Sequence, residues 1–119
     1  MQRKVFTMAL LGGALVVAMP ATAAPAHDAA KNTTITVKMT EFKFKLSKNS
    51  TPKGTVVFKV ANKGQLAHDF KINGKKTPLV DPGKSARLTI KFRKAGKFRY
   101  LCTVPGHAAS GMKGTFTVK

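Results

Sequence analysis

The sequence predicts an all-β protein, an antiparallel sandwich or barrel of seven to eight short strands. Three observations carry that prediction. Apolar and polar residues alternate with period two through most of the chain, no stretch shows the 3, 4, 7 spacing of an amphipathic helix, and turn residues recur about every ten positions.

From Thr33 onward, Ile35, Val37 and Met39 face one way while Thr34, Thr36 and Lys38 face the other, as in a half-buried strand. Phe42 and Phe44 resume the alternation with shifted parity, which predicts a bulge or bend near Thr40-Glu41. Thr51-Pro52-Lys53-Gly54 is a turn, and Thr55 to Asn62 is a strand with Val56, Phe58 and Val60 inward. A loop at Lys63-Gly64-Gln65 leads to a short strand through His68, Phe70 and Ile72, closed by Asn73-Gly74. Beyond the turn Asp81-Pro82-Gly83, Leu88, Ile90 and Phe92 alternate with Arg87, Thr89, Lys91 and Arg93. Lys97 to Cys102 places Phe98, Tyr100 and Cys102 on one face, and the last strand, Gly114 to Val118, offers Phe116 and Val118.

Residues 1–26 have the form of an export leader. Arg3 and Lys4 give a basic start, Met8 to Met19 is uncharged and apolar, and Pro20 ends the run. Ala21-Thr22-Ala23 and Ala24-Pro25-Ala26 both fit the small-x-small cleavage rule, so cleavage is expected after Ala23 or Ala26. The apolar run falls short of the roughly 20 residues that span a bilayer, so no membrane insertion of the mature chain is expected. What remains, 27–119, is one domain, exported to the periplasm or beyond.

Composition excludes much else. The 119 residues include 22 Lys or Arg against four Asp or Glu, a formal charge of +18, with three His, one Cys and no Trp. One Cys cannot staple the chain to itself, and four acids leave little for a carboxylate dyad or an oxygen-ligated cation site. Removing 1–26 takes Arg3 and Lys4 and leaves a formal +16 over 93 residues. The lysines occupy the outward phase of nearly every strand, where they also discourage edge-to-edge pairing. Such a charge attracts acidic partners, but it is spread over every strand, and a single Tyr with no Trp gives little base-stacking surface, so nucleic acid is not expected as a partner.

The informative segment is Tyr100-Leu101-Cys102-Thr103-Val104-Pro105-Gly106-His107-Ala108-Ala109-Ser110-Gly111-Met112. It sets a thiol, an imidazole and a thioether in one loop between two strands, with four residues between each pair of neighbours. Pro105-Gly106 turns the chain so that His107 returns toward Cys102. His68 is the candidate fourth donor. Two imidazoles, one thiolate and a weak thioether suit a copper ion that moves between Cu(I) and Cu(II). Taken singly, Cys102 and Met112 are ordinary core residues and His68 a hydrogen-bonded core histidine; taken together, the one Cys and two of three His fall where ligands are needed. Zinc is the runner-up metal, although thioether is a poor zinc ligand and no general base flanks the loop. A Cys-His nucleophile pair lacks an orienting partner.

The Cys102-Thr-Val-Pro-Gly-His107 motif with Met112 following resembles the copper loop of the cupredoxins, the small blue copper proteins of the plastocyanin, azurin and rusticyanin kind. The resemblance extends to Asn62-Lys63-Gly64-Gln65-Leu66-Ala67-His68, to Val80-Asp81-Pro82-Gly83-Lys84-Ser85 and to Gly96-Lys97-Phe98-Arg99-Tyr100-Leu101. It implies a Greek-key β-sandwich and one type 1 copper ion, with His68, Cys102 and His107 as ligands and Met112 axial. It further implies a non-enzymatic carrier of single electrons, with the edge of His107 near solvent in an apolar patch made by Pro105, Gly106, Ala108 and Ala109 beside Leu66 and Ala67. The expected partner is a redox protein with an acidic surface, met by a monomer of this chain. Copper delivery or storage is the alternative function. One departure from the family pattern is Asp69, where many members have Asn after the first His; a carboxylate there would favour Cu(II).

Overall fold

The computed structural model describes residues 32–119, and the export leader expected over residues 1–26 lies outside them. The strands are β1 (Thr33–Thr40), β2 (Lys43–Leu46), β3 (Ser50–Thr51), β4 (Gly54–Asn62), β5 (Lys71–Ile72), β6 (Lys75–Lys76), β7 (Ser85–Phe92), β8 (Gly96–Leu101) and β9 (Lys113–Val118). One sheet has the order β2-β1-β4-β7 and the other β3-β9-β8-β5-β6. The sandwich expected from the alternation is therefore present, with β3, β5 and β6 reduced to two residues each.

Both sheets are mixed. β1 pairs with β4 in parallel, setting Ile35 against Phe58 and Val37 against Val60, and β3 pairs with β9 in parallel. The remaining strand pairs are antiparallel. The reason is the path of the chain. β2 returns along the outer edge of β1, the chain crosses to the other sheet for β3, and β4 then re-enters beside β1 from the end where β1 began.

Period-two burial puts most of the expected inward residues into one core, with Phe42, Phe44 and Phe98 half-buried against it. Ile35, Val37, Met39, Val56, Phe58, Val60, Leu88, Ile90 and Phe92 from the first sheet meet Ile72, Tyr100, Phe116 and Val118 from the second. Phe58 stands at its centre, with ring centroids 5.2 Å from Phe70, 5.5 Å from Phe116 and 6.4 Å from Phe92. Edge-on and tilted rings at such distances add attraction beyond buried area.

The turns follow their chemistry. Asn73 and Gly74 have φ of 52° and 78°, the left-handed pair that a two-residue hairpin between Ile72 and Lys75 requires. The parity break near Thr40-Glu41 is a hairpin rather than a bulge: Thr40 pairs with Lys43, and Glu41 and Phe42 form the tip. That tip lies at the same end of the sandwich as the loop following β8.

Candidate metal centre

His68 is fixed before its side chain is considered. Its N–H donates to Val80 O at 3.1 Å and its carbonyl accepts from Val80 N–H at 2.7 Å, an isolated bridge where a longer strand was expected. Asn62, fully buried, organises the loop just upstream. Its amide donates to Leu66 O at 2.7 Å and Val80 O at 2.8 Å, and its side-chain oxygen accepts from Gly64 N–H at 2.8 Å.

Cys102 follows the last residue of β8. Its N–H donates to Met112 O at 3.1 Å, while Met112 N–H donates to His107 O at 3.1 Å. One loop thus returns on itself so that Cys102, His107 and Met112 share the end of the sandwich. Met112 and Cys102 are buried, and His107, at 9% exposed, is the most accessible of the four predicted donors.

Three donor atoms converge. His68 Nδ1 lies 3.1 Å from His107 Nδ1, and Cys102 Sγ lies 4.0 Å from the former and 3.6 Å from the latter. All three fall within 4.8 Å of one another, close enough to hold one metal ion. Met112 is brought into the same loop by its backbone bonds. Burial pushes the Cys102 thiol above its ordinary value of 9.0, and the backbone N–H groups of Asp69 and Val104 oppose that shift. Thiolate character at this position therefore calls for a cation beside it.

Asp69 ties the two segments together. Its N–H faces Cys102 Sγ at 3.5 Å, Oδ1 accepts Thr103 N–H at 2.6 Å, and Oδ2 accepts the Thr103 hydroxyl. Lys76 Nζ lies 3.9 Å from Oδ2.

Sequence reasoning passed over Glu41 and Phe42. The Glu41 carboxylate accepts N–H bonds from Gln65 (2.9 and 3.0 Å) and Leu66 (3.0 Å), and its Oε2 lies 2.7 Å from His68 Nε2. The Gln65 N–H, reinforced by His68, holds its carboxyl at about 2, below the ordinary 4.5. The Phe42 ring stands edge-on to His107 at 5.0 Å. The available signal was scarcity: with four acids in the chain, one at the tip of a hairpin is conspicuous.

Comparison with known proteins identifies the family. The cupredoxin-like domain family matches residues 11–118. The chain belongs to the cupredoxin family. It is similar to the copper-resistant cuproprotein CopI of Pseudomonas aeruginosa, with 51% identity over 41 residues, a stretch that is 34% of this chain and 23% of that protein. Among solved structures it resembles rusticyanin from Thiobacillus ferrooxidans, at a TM-score of 0.62 and 26% identity over 75% of this chain and 78% of that one. Auracyanin from Roseiflexus castenholzii shares the fold at a TM-score of 0.62 and 22% identity, over 75% of this chain and 97% of that one. A cupredoxin fold with two imidazoles, a thiol and a thioether gathered at one end makes a single type 1 copper site.

Proposed function

We propose that this cupredoxin is a periplasmic, non-enzymatic carrier of single electrons, monomeric, in which His68, Cys102 and His107 would hold the copper, with Met112 as a weaker fourth donor. The observation that carries the proposal is the convergence of Cys102 Sγ and the two Nδ1 atoms within 4.8 Å at the buried end of the sandwich. When bound, copper supplies a one-electron couple that soft sulfur and imidazole accommodate in both states.

The chain's own residues make the site stiff. The His68–Val80 bridge, the Cys102–Met112–His107 backbone bonds and the Asp69–Thr103 tie all form within the protein, so they hold the donor segments together before anything is bound. Burial of His68, Cys102 and Met112 keeps water from them, and His107 is the donor nearest the surface. The exposed Pro105, Gly106, Ala109 and Leu66 on the same loops supply the small apolar contacts a short-lived complex needs.

Charge would select the partner. The outer face of the β2-β1-β4-β7 sheet holds a concavity of about 750 Å³ bordered by Lys38, Lys45, Lys59, Lys63 and Arg87. Lys38 stands opposite Lys45 and Lys59 opposite Arg87, like-charge pairs that an acidic partner would relieve. Steering of this kind speeds association by roughly 10 to 1,000-fold at low salt.

Export after cleavage of 1–26 belongs to the same proposal, and the mass of the secreted chain tests it. No helix among the described residues is long and apolar enough to cross a membrane.

Adding Cu(II) to the metal-free protein and recording the visible spectrum tests the site. An intense charge-transfer band, absent in Cys102→Ser, supports it, and no band rejects it. Electron transfer to an acidic redox protein should then slow steeply between about 10 and about 500 mM salt, and a flat rate rejects the steering. A second reading, copper delivery or storage, is favoured by the likeness to a copper-resistant cuproprotein. Rapid loss of Cu(I) to a competing chelator, with slow electron self-exchange, would select it over the carrier.

A further inference from the structure

We propose that Glu41 is a positioning residue for the metal centre: it fixes the ring of His68 through Nε2 and strengthens His68 Nδ1 as a donor to the more highly charged copper state. The inference rests on His68 being a copper ligand. Its ground is geometric. His68 directs Nδ1 into the donor cluster, 3.1 Å from His107 Nδ1, and the opposite nitrogen, Nε2, lies 2.7 Å from Glu41 Oε2. With Nδ1 free to donate its lone pair, the ring proton resides on Nε2 and is donated to the carboxylate, which defines both the tautomer and the rotation of the ring.

The carboxylate is itself held. Both its oxygens accept backbone N–H bonds from the Gln65-Leu66 segment, so Glu41 joins the β1–β2 hairpin tip to the loop that delivers His68, across 27 residues of sequence. Gly64 makes room for it: a Cβ on that residue would come within 2.3 Å of Glu41 Oε2. The next residue, Phe42, packs against the ring of His107. One two-residue tip therefore supports both imidazoles, the first by a charged hydrogen bond and the second by an aromatic edge.

The placement of charge gives the contact a chemical direction. Of the three acids among the described residues, Glu41, Asp69 and Asp81, two lie against the donor segments, in a chain whose remaining charge is overwhelmingly positive. A field of lysines favours Cu(I), the state of lower charge. A carboxylate on Nε2 opposes it locally, because electron density pushed through the imidazole benefits Cu(II) more than Cu(I).

Glu41→Gln removes the charge while keeping an oxygen for the backbone N–H groups. Gly64→Ala displaces the carboxylate and leaves Glu41 unchanged in sequence. Two readouts apply to wild type and both variants: the Nε2–H proton resonance of His68 in metal-free protein under mildly alkaline conditions, and the Cu(II) and Cu(I) affinities with the reduction potential. Wild type should show a downfield, exchange-protected Nε2–H, which moves upfield in Glu41→Gln and Gly64→Ala. Cu(II) affinity should fall about 10 to 100-fold in both variants, with a smaller loss for Cu(I). The potential should rise by about 59 mV for each tenfold difference between the two losses. A His68 Nε2–H resonance unchanged in folded Glu41→Gln overturns the proposal, as does an unchanged potential. Because the proton resonance is read without metal, failure of wild type to bind copper condemns the ligand assignment and leaves the Glu41–His68 contact to be decided on its own signal.

Discussion

Replacing Asp69 separates the work of its oxygens from the work of its charge. Asp69 is 3% exposed, and it accepts two bonds from Thr103, one from the N–H at 2.6 Å and one from the hydroxyl. Asp69→Ala leaves the Thr103 N–H facing an empty pocket, while the half-buried hydroxyl can turn to water. A hydrogen bond to a charged group contributes about 1.5–3 kcal/mol, so the lost N–H bond counts in full and the hydroxyl at the low end, about 3–4.5 kcal/mol together. The Lys76 pair adds almost nothing, because its ammonium is mostly in solvent. Asp69→Asn is different: its oxygen still accepts the N–H, and its amide donates to the Thr103 hydroxyl oxygen, so the cost should be about 1 kcal/mol or less. Urea unfolding of the metal-free protein measures both. With an m-value near 1.5–2 kcal/mol/M, the alanine variant should lose about 2 M in midpoint and the asparagine variant about 0.5 M. Equal losses would refute the reasoning, since they would show that charge rather than the two acceptors ties His68's segment to Cys102's.

Three further outcomes are expected. Phe58→Ala should cost about 3–5 kcal/mol by urea or thermal unfolding, and Phe58→Leu about 1–1.5 kcal/mol, because only the first empties the centre of the aromatic cluster. Burial raises the Tyr100 hydroxyl above its ordinary value of 10.0, so the unfolded chain loses that proton first. The resulting stability is complete below about pH 10 and declines as pH rises further, and Tyr100→Phe should have the shallower alkaline limb, with identical limbs counting against the argument. Free copper at about 1,000 times its dissociation constant should add about 4 kcal/mol, a rise of about 15 °C or more in Tm, and most of that rise should vanish in Cys102→Ser.

The core was legible because burial follows a rule of alternate residues, and every inward residue assigned along Thr55 to Asn62 and Arg87 to Phe92 is buried. Strand direction was not. A parallel and an antiparallel neighbour bury the same alternate residues, so nothing in Ile35, Val37 and Met39 reveals that β4 runs alongside them in the same sense. The meeting of Cys102 with His107 could be read from a short spacing with a Pro-Gly turn inside it. His68 could be assigned only by elimination and by family resemblance, since its arrival depends on a backbone bridge to Val80. Glu41 was out of reach for a sharper reason: the parity break at the end of β1 has the same sequence signature whether the chain bulges or reverses, and only reversal carries a carboxylate to His68.

That reversal bears on what the site can do. A centre built to release copper gains from donors that separate, whereas a centre built to pass electrons gains from donors that stay in place when the charge changes. Here His68 is restrained on its backbone by Val80 and on its ring by Glu41, and Cys102 and His107 are joined through the backbone of Met112. These contacts lie outside the donor atoms, so loss of the metal breaks none of them. Such prior restraint lowers the reorganisation that accompanies a one-electron change, and it supports the carrier over the delivery reading. Loosening the ring of His68 by Gly64→Ala should therefore slow electron self-exchange while hastening transfer of Cu(I) to a chelator. Faster release with unchanged self-exchange would mean that the restraint serves retention of the metal rather than passage of the electron.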